Sequence, residues 1–391
     1  MAKHRYTETS DVGYVGNMKN AIGGVIVGIV MAFGAIPLTW WNEGRTVRET
    51  RSLEEGQKAV VAAGVESVDA ANEGRLVHVA GRLVSDETLA DERFGVESSG
   101  LRLERTVEMY QWDEDKDEKK SDSGKTTTTY EYDTKWSERA IDSSDFRHRD
   151  GHENPSDWPV RSETWRAAQG NLGAYVLDAD MLSRAEGNAA LEPPAEAETT
   201  LDGFRREGSG WYFGENASSP QVGDIRVRFS ETPEGDYSFI ARQAGSGLAP
   251  YATKAGNEIL LVDTGIVPAE KMFEAAHSRN AFIAWALRAG GFVLLWLGLS
   301  LVMRPLAAAT SILPGIGWIV ARGIGLVSFV IALLVSLSTI GLAWVWYRPL
   351  LGGALLAAAV ASIFLLKRKR DVPAVAVVSA PPPPPPPARP A

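Results

Sequence analysis

The sequence lacks cysteine altogether among its 391 residues, and it has only five histidines. Disulfides, zinc-thiolate sites and a cysteine nucleophile are therefore excluded, and thiol usage does not indicate the redox compartment. His148 and His152 are four residues apart, which would suit a metal site on a helix. Gly151 and Asn154 followed by proline predict a turn there instead, so we predict no metal site.

Catalytic signatures are also missing. His78 lies in a predicted strand, and no serine or cysteine nucleophile motif accompanies it. Carboxylates are so numerous that no pair stands out as an acid and base. We therefore predict no catalytic residue and no cofactor, and we expect that the protein is not an enzyme. A hydrolase is left without support from the sequence.

Positive charge is scarce in the middle of the chain. The chain has 40 basic and 49 acidic residues, of which 12 basic and three acidic residues lie outside residues 20–280. Residues 20–280 therefore hold 28 basic and 46 acidic residues, a net charge of −18. Such a region repels phosphate backbones and anionic headgroups. We predict no nucleic-acid partner.

Long apolar runs are present, and the first covers residues 20–41 without any charge. About 20 apolar residues form a helix that crosses a hydrocarbon core of roughly 30 Å. Trp40 and Trp41 end the run at the level of an aromatic belt. A cleaved signal peptide is the alternative, but the run is long for one and offers a poor cleavage site. We predict an uncleaved transmembrane helix 1.

Three further runs predict transmembrane helices 2, 3 and 4, at residues 281–303, 324–347 and 349–366. Residues 304–323 are apolar but broken by Pro314 and two glycines, and we interpret them as an interfacial or re-entrant segment. A fifth span is the alternative. It would place the basic KRKR of residues 367–370 opposite the basic N-terminus, against the positive-inside tendency.

Four spans put residues 1–19 and the tail of residues 367–391 in the cytoplasm, and residues 42–280 outside it. Three arginines that follow the first span on the outer side count against this topology, although acids accompany them: Arg45, Arg48 and Arg51. The assignment therefore rests on the C-terminal basic residues.

Small residues recur at four-residue spacing in three of the predicted spans, where they let helices approach closely. They are Gly24, Gly28 and Ala32; Ser328, Ala332 and Ser336; and Gly353, Ala357 and Ala361. Packing within one chain is our first interpretation, and association with a second copy is the alternative. Arg288, inside the second span, is an intramembrane charge and hence a functional-site hypothesis. It either reaches the outer interface or pairs with an acid of the domain.

The region between the first two spans predicts a β-rich α+β domain. Six segments have strand-like patterns: "LVHVAGRLV", "LRLERTVEMYQW", "TTTTYEYDTKW", "DIRVRFS", "YSFIARQ" and "EILLVDTGI". A helix with Ser52 as its N-cap precedes them, and a helix from residue 268 runs into the second span. The fold class is thus a membrane protein with four transmembrane helices and a large β-rich α+β extracytoplasmic domain.

Several motifs, taken in order, carry a family resemblance. They are "NEGR" with "SLEEG" after the first span, "NEGRLVH", "VEMYQW", "GHENPS", "VGDIRVRFS", "IARQ", "LRAGG" and "YRPL". In combination they resemble the LUMA family, known as transmembrane protein forty-three, and the chain is similar to a bacterial-type member. The resemblance implies four spans and a large lumenal domain, which corresponds to the periplasm in a bacterial envelope. It brings no catalytic motif, and both NEGR copies are interpreted as turns.

The resemblance implies an organiser of membrane-protein assemblies, with a channel as the alternative. We expect membrane lipids, other membrane proteins and a second copy of the chain as partners, in the inner (cytoplasmic) membrane. The predicted spans lack Asp and Glu, so they offer no ring of acidic side chains to line a pathway for cations. The C-terminal "APPPPPPPARPA" predicts an extended polyproline tail, either a spacer or a ligand for a proline-binding partner.

Overall fold

The computed structural model describes residues 4–11, 14–120, 125–193, 200–306 and 316–350, with a few positions between 352 and 361. These residues form four helices: α1 Tyr14–Ala59, α2 Ala179–Leu182, α3 Ala269–Val302 and α4 Ile316–Tyr347. The first ten strands are β1 His4–Asp11, β2 Val61–Ala62, β3 Leu76–Val84, β4 Leu89–Asp91, β5 Val96–Ser98, β6 Arg102–Lys120, β7 Lys125–Ser137, β8 Glu163–Arg166, β9 Gln169–Leu172 and β10 Tyr175–Asp178. The remaining strands are β11 Ala189–Leu191, β12 Thr200–Leu201, β13 Phe204–Glu207, β14 Gly210–Phe213, β15 Ile225–Thr232, β16 Gly235–Ala244, β17 Gly247–Ala249, β18 Tyr251–Ala252, β19 Glu258–Ile259 and β20 Leu261–Thr264.

Helix α1 is far longer than a membrane span. Its 46 residues correspond to about 69 Å at about 1.5 Å per residue, against a hydrocarbon core of about 30 Å. The prediction of a separate helix capped by Ser52 is therefore wrong, because α1 continues through that position. Ser52 is buried instead, and its hydroxyl lies 2.7 Å from the hydroxyl of Thr253 in the domain.

Three helices in the described part of the chain are long and apolar enough to cross a membrane: Gly23–Ala59, Ala269–Leu306 and Arg322–Tyr347. Helix α4 begins at Ile316, inside the segment for which the sequence predicts an interfacial or re-entrant structure. Residues 307–315 of that segment and most of the predicted fourth span, residues 349–366, lie outside the described residues. Positions 352–354, 357 and 361 are helical. Gly352 is buried and packs closely on the backbone of Val345.

The β-rich domain contains two large sheets. A nine-stranded sheet has the order β1-β7-β6-β15-β14-β13-β12, with β11 on β15 and β8 on β6. A seven-stranded sheet has the order β10-β9-β3-β16-β17, with β2 on β3 and β20 on β16. Strand pairs are antiparallel except β2 with β3. Alternating burial along β3 and β15 shows one face of each sheet on the core.

Each large sheet covers its own apolar cluster, and two further clusters involve the helices. Tyr175 and Phe239 lie in the cluster of the seven-stranded sheet, and Trp211 in that of the nine-stranded sheet. A third cluster joins the end of α1 and the start of α3 to the domain through Leu53, Leu76, Ile240, Ile259, Met272 and Phe273. The fourth lies between the three long helices. Both α1 and α3 therefore continue from the apolar bundle into the domain without a break.

The N-terminal strand belongs to the β-rich domain in this structure. All eight residues of β1 pair with β7, from His4 opposite Tyr132 to Asp11 opposite Lys125. The sequence predicts that residues 1–19 and the domain lie on opposite sides of a membrane. Two strands on opposite sides of a bilayer cannot pair, because a hydrocarbon core of about 30 Å separates them. The pairing and the predicted topology therefore exclude each other in one molecule.

Candidate functional site at the junction of the three long helices

The first Asn-Glu-Gly-Arg motif lies inside α1, so the prediction of a turn there is wrong. Asn42 Nδ2 donates a hydrogen bond to the carbonyl oxygen of Ala284 in α3, at 3.1 Å. Arg45 Nη1 donates to Oδ1 of Asn280, also in α3, at 3.0 Å. Asn280 Nδ2 in turn donates to the backbone of α1. The polar side chains of this motif thus face another helix rather than solvent.

Glu43 of the motif joins three helices through one carboxylate, and its side chain is 1% exposed. Arg288 of α3 donates from Nε to Oε1 at 2.6 Å and from Nη2 to Oε2 at 2.9 Å. Trp344 of α4 donates from Nε1 to Oε2 at 2.8 Å. We call Glu43, Arg288 and Trp344 the polar clamp. The guanidinium also lies over the ring of Trp285, 4.9 Å from its centroid.

The end of α4 contacts Gly44 of the motif and two side chains that flank it. A Cβ atom on Gly44 would lie 2.7 Å from Cζ of Tyr347, so a larger residue here would have to displace the end of that ring. Arg51 Nη2 donates to the carbonyl oxygen of Tyr347 at 2.9 Å. The ring of Trp40 lies 6.0 Å from that of Tyr347. Glycine in this motif therefore serves helix packing and not a turn.

The electrostatics of the polar clamp define what it can do. Two parallel N–H···O bonds between guanidinium and carboxylate are the strong, directional form of an ion pair. Either charge alone at this depth would be costly, whereas the pair is neutral. Both carboxylate oxygens are engaged by donors. The clamp is thus built to hold α1, α3 and α4 in one arrangement.

The sequence pattern indicates Arg288 but not its partner. The predicted first span ends at residue 41, two residues before Glu43, so the predicted spans contain no acid. A signal was available: α1 and α3 are joined through the domain and run antiparallel, so the domain-side ends of both helices lie at similar depth. Glu43 is the first acid after the uncharged run, and Arg288 is the only charged residue within residues 281–303.

The small residues of α1 lie at its crossing with α3. A Cβ atom on Gly28 would lie 2.6 Å from the carbonyl oxygen of Gly298, so the two backbones are in contact there. Ala32 packs beside this point, and its backbone nitrogen would be 2.8 Å from a Cβ atom on Gly298. Gly24 faces Leu301 at an ordinary distance of 3.7 Å.

The two later stripes differ from each other. Ser328, Ala332 and Ser336 of α4 are all buried, and Ala332 packs with Ala35 and Leu295 between the helices. Gly353, Ala357 and Ala361 are exposed. The structure therefore brings the stripes of α1 and α4 into the bundle, whereas the described residues do not bury the last stripe.

The histidines singled out by the sequence are held by other protein groups. His152 is buried, with Nδ1 2.8 Å from the carbonyl oxygen of His148 and Nε2 2.9 Å from Nδ1 of His4. His78 Nε2 lies 2.9 Å from the carbonyl oxygen of Val267. Among the residues the structure describes, no group of three or more His, Asp or Glu has the geometry of a metal site.

The second Asn-Glu-Gly-Arg motif forms a turn before β3, as the sequence predicts. Asn72 ends a short 3-10 helix, and Gly74 has a φ of 74°, which favours glycine. Arg75 Nη1 donates to Oδ1 of Asn72 at 3.2 Å. The same four letters thus form a helix packing surface in one place and a surface turn in the other, because their flanking sequences differ.

The fold and this junction define a multi-pass membrane protein with a large β-rich domain. The chain belongs to the Transmembrane protein 43 family, whose model matches residues 109–349. Transmembrane protein 43 of Mus musculus is 33% identical over 360 residues, covering 88% of this chain and 90% of the relative. The human protein is 33% identical over 356 residues, with coverages of 88% and 89%. The Drosophila melanogaster homolog is 27% identical over 346 residues, with coverages of 85% and 90%. No solved structure matches the chain.

Proposed function

We propose that this protein is a non-enzymatic membrane organiser, which recruits membrane proteins or lipids through its β-rich domain and its helix bundle. The observation that carries the proposal is the rigid junction between the two parts. Helices α1 and α3 run unbroken into the apolar cluster of the domain, and the polar clamp ties them to α4. A rigid junction of this kind fixes the position and orientation of the domain's binding surface relative to the membrane.

The same proposal includes a topology and a location. We propose four spans, with residues 349–366 as the fourth, both chain ends in the cytoplasm and the domain in the periplasm of a bacterial-type inner membrane. Four basic residues at positions 367–370 support a cytoplasmic C-terminus. The contact between Gly352 and Val345 supports a reversal of the chain after α4. A second copy of the chain is among the proposed partners.

The test is purification of the full chain in a mild detergent, followed by mass measurement and identification of what remains bound. We expect a particle heavier than one chain, with membrane protein, lipid or a second copy attached. The variant Glu43→Leu breaks the clamp and should reduce the bound material, because the domain loses its set orientation. Glu54→Leu, at an exposed position of the same helix, is the matched control.

A clean monomer without bound lipid or protein would contradict the proposal. Bound material that is equally abundant in the wild type and in Glu43→Leu would contradict the part assigned to the rigid junction. Turnover of a small molecule that co-purifies with the protein would favour an enzymatic role instead.

A further inference from the structure

A cavity of about 260 Å³ lies where the domain meets the start of α3. Its walls are the first three turns of α3, strand β20 and the loop after α2. Two guanidinium groups and two carboxylates line it, those of Arg184, Arg279, Glu186 and Asp263, together with an apolar wall that includes Met272 and Ala275. The volume of about 260 Å³ is slightly below the range of about 300–1,000 Å³ for small-molecule sites. It suits a polar headgroup rather than a large ligand.

The charged groups of this cavity have capacity for a ligand. Arg184 and Arg279 are exposed, and within the described part of the chain neither side chain donates a hydrogen bond to a protein group. Burial raises the pKa of the Asp263 carboxyl, with Arg279 opposing that shift and Glu186 adding to it. A cation beside the two carboxylates and an anion beside the two guanidinium groups would each find opposite charge. The cavity therefore fits a zwitterion better than a simple anion.

The position of the cavity indicates which zwitterion. Arg279 precedes Phe282 by three residues in α3, so the two side chains lie on one helix face about 4.5 Å apart along the axis. Phe282 is 75% exposed and Trp285 is 68% exposed, and both begin the apolar surface of the second span. Ala275, one turn before Arg279, lines the cavity on the same face. A molecule bound here has its polar end among the arginines and an apolar path along α3 toward lipid.

We propose that this cavity binds the headgroup of a phospholipid that carries both a phosphate and a primary ammonium group, of the phosphatidylethanolamine class. The phosphate lies between Arg279 and Arg184, the ammonium faces Asp263 and Glu186, and the acyl chains follow Phe282. Guanidinium recognises phosphate through charge-assisted hydrogen bonds. The inference rests on the proposed organiser function, since it names one lipid partner and the place where that partner binds.

The experiment uses the full chain in nanodiscs that contain equal amounts of phosphatidylethanolamine and phosphatidylcholine. The protein is released into a mass spectrometer, and the retained lipids are counted. We expect wild type to retain phosphatidylethanolamine in preference to phosphatidylcholine. Arg279→Ala and Arg184→Ala should each weaken that retention by about tenfold, the loss expected for one charge-assisted contact. Ala275→Phe, which fills the cavity without changing charge, should have the same effect.

Arg139→Ala is the control, because Arg139 is exposed and lies in a different part of the domain. The proposal is overturned if retention shows no preference, or if all variants including Arg139→Ala behave alike. In a second set of nanodiscs, phosphatidylglycerol replaces phosphatidylcholine, and equal retention of phosphatidylglycerol and phosphatidylethanolamine there would overturn the role of the two carboxylates. Displacement of the lipid by inorganic phosphate or free phosphoethanolamine at concentrations comparable to the lipid would overturn the part assigned to the acyl chains. If the particle still contains bound membrane protein while the lipid preference is absent, the lipid site fails and the organiser function stands.

Discussion

At the scale of single residues, the pair of Glu43 and Arg288 shows how a buried charge is tolerated. A bare carboxylate or guanidinium at this depth is unfavourable, and each is acceptable because the other is within 2.6 Å. Trp344 adds a donor to the carboxylate. The pair therefore contributes little net stability compared with two apolar residues, but either half alone is a liability.

Breaking the pair from one side should be costly. We expect Glu43→Leu and Arg288→Met each to lower the free energy of unfolding by about 3–5 kcal/mol, because each leaves one charge buried without its partner. The double variant should lose far less than the sum of the two. Denaturant unfolding of the full chain in detergent, analysed as a double-mutant cycle, measures the coupling.

The matched control for this cycle is Glu54→Leu, which changes an exposed position of the same helix and should shift stability by no more than about 0.5 kcal/mol. Additive losses in the double variant would mean that Glu43 and Arg288 do not interact in the folded protein. Losses as large for Glu54→Leu would point to a general loss of helix α1.

The channel alternative also belongs to the residue scale. A conducting path past an unpaired Arg288 would meet a positive barrier, but the guanidinium is neutralised by Glu43. We expect no ion current from the purified protein in bilayers, and none from Arg288→Gln. A reproducible current that depends on the protein and changes with Arg288→Gln would favour the channel over the organiser.

At the scale of elements, the crossing of α1 and α3 is set by glycine at the point of closest approach. We expect Gly28→Ala to destabilise the bundle by about 1–3 kcal/mol, because its Cβ atom would meet the backbone of α3. Gly34→Ala is the control on the same helix, where a Cβ atom has nothing within 4 Å. Thermal unfolding of both variants in detergent provides the comparison.

For the glycine pair, equal melting temperatures would show that the helices do not touch at Gly28. A loss confined to Gly34→Ala would place the contact on the other face of α1. Either outcome would move the α1–α3 interface away from Gly298.

Elements with strong local patterns were predictable from the sequence. The prediction of a strand at "LVHVAGRLV" is confirmed, since β3 spans Leu76–Val84, and the helix that feeds into the second span is confirmed by α3. The acidic and basic segment "DEDKDEKKSDSGK" has the composition of a solvated turn, yet its first eight residues are strand, because β6 continues to Lys120 in pairing with β7. Cross-strand pairing there outweighs the low strand propensity of Asp, Glu and Lys.

At the scale of the whole molecule, the β1–β7 pairing and a membrane-crossing α1 are alternatives. Residues 20–41 carry no charge, and Phe33 and Val30 are exposed as lipid-facing residues are. We therefore expect α1 to cross the membrane and to separate β1 from the domain. The chain has no cysteine, so introduced pairs report on this directly.

Thr9 and Thr127 are opposite each other in the β1–β7 pair. We expect Thr9→Cys with Thr127→Cys to form no disulfide in the membrane-inserted protein under mild oxidation. Asp117→Cys with Thr129→Cys, opposite each other between β6 and β7, is the control that should form one. Ready oxidation of the first pair would show that residues 4–11 stay on the domain and would overturn the predicted topology.

Local sequence shows which parts of this protein are apolar enough for a membrane, which segments alternate as strands, and to which family the motifs point. Those are local properties, present in runs and periods of side chains. Local sequence does not show that Glu43 pairs with Arg288, that the first Asn-Glu-Gly-Arg is helical while the second turns, or that two arginines and two carboxylates share one cavity. Each of these contacts joins residues that are far apart in the chain. The continuous helices and the strand pairing bring them together, and no local pattern encodes that arrangement.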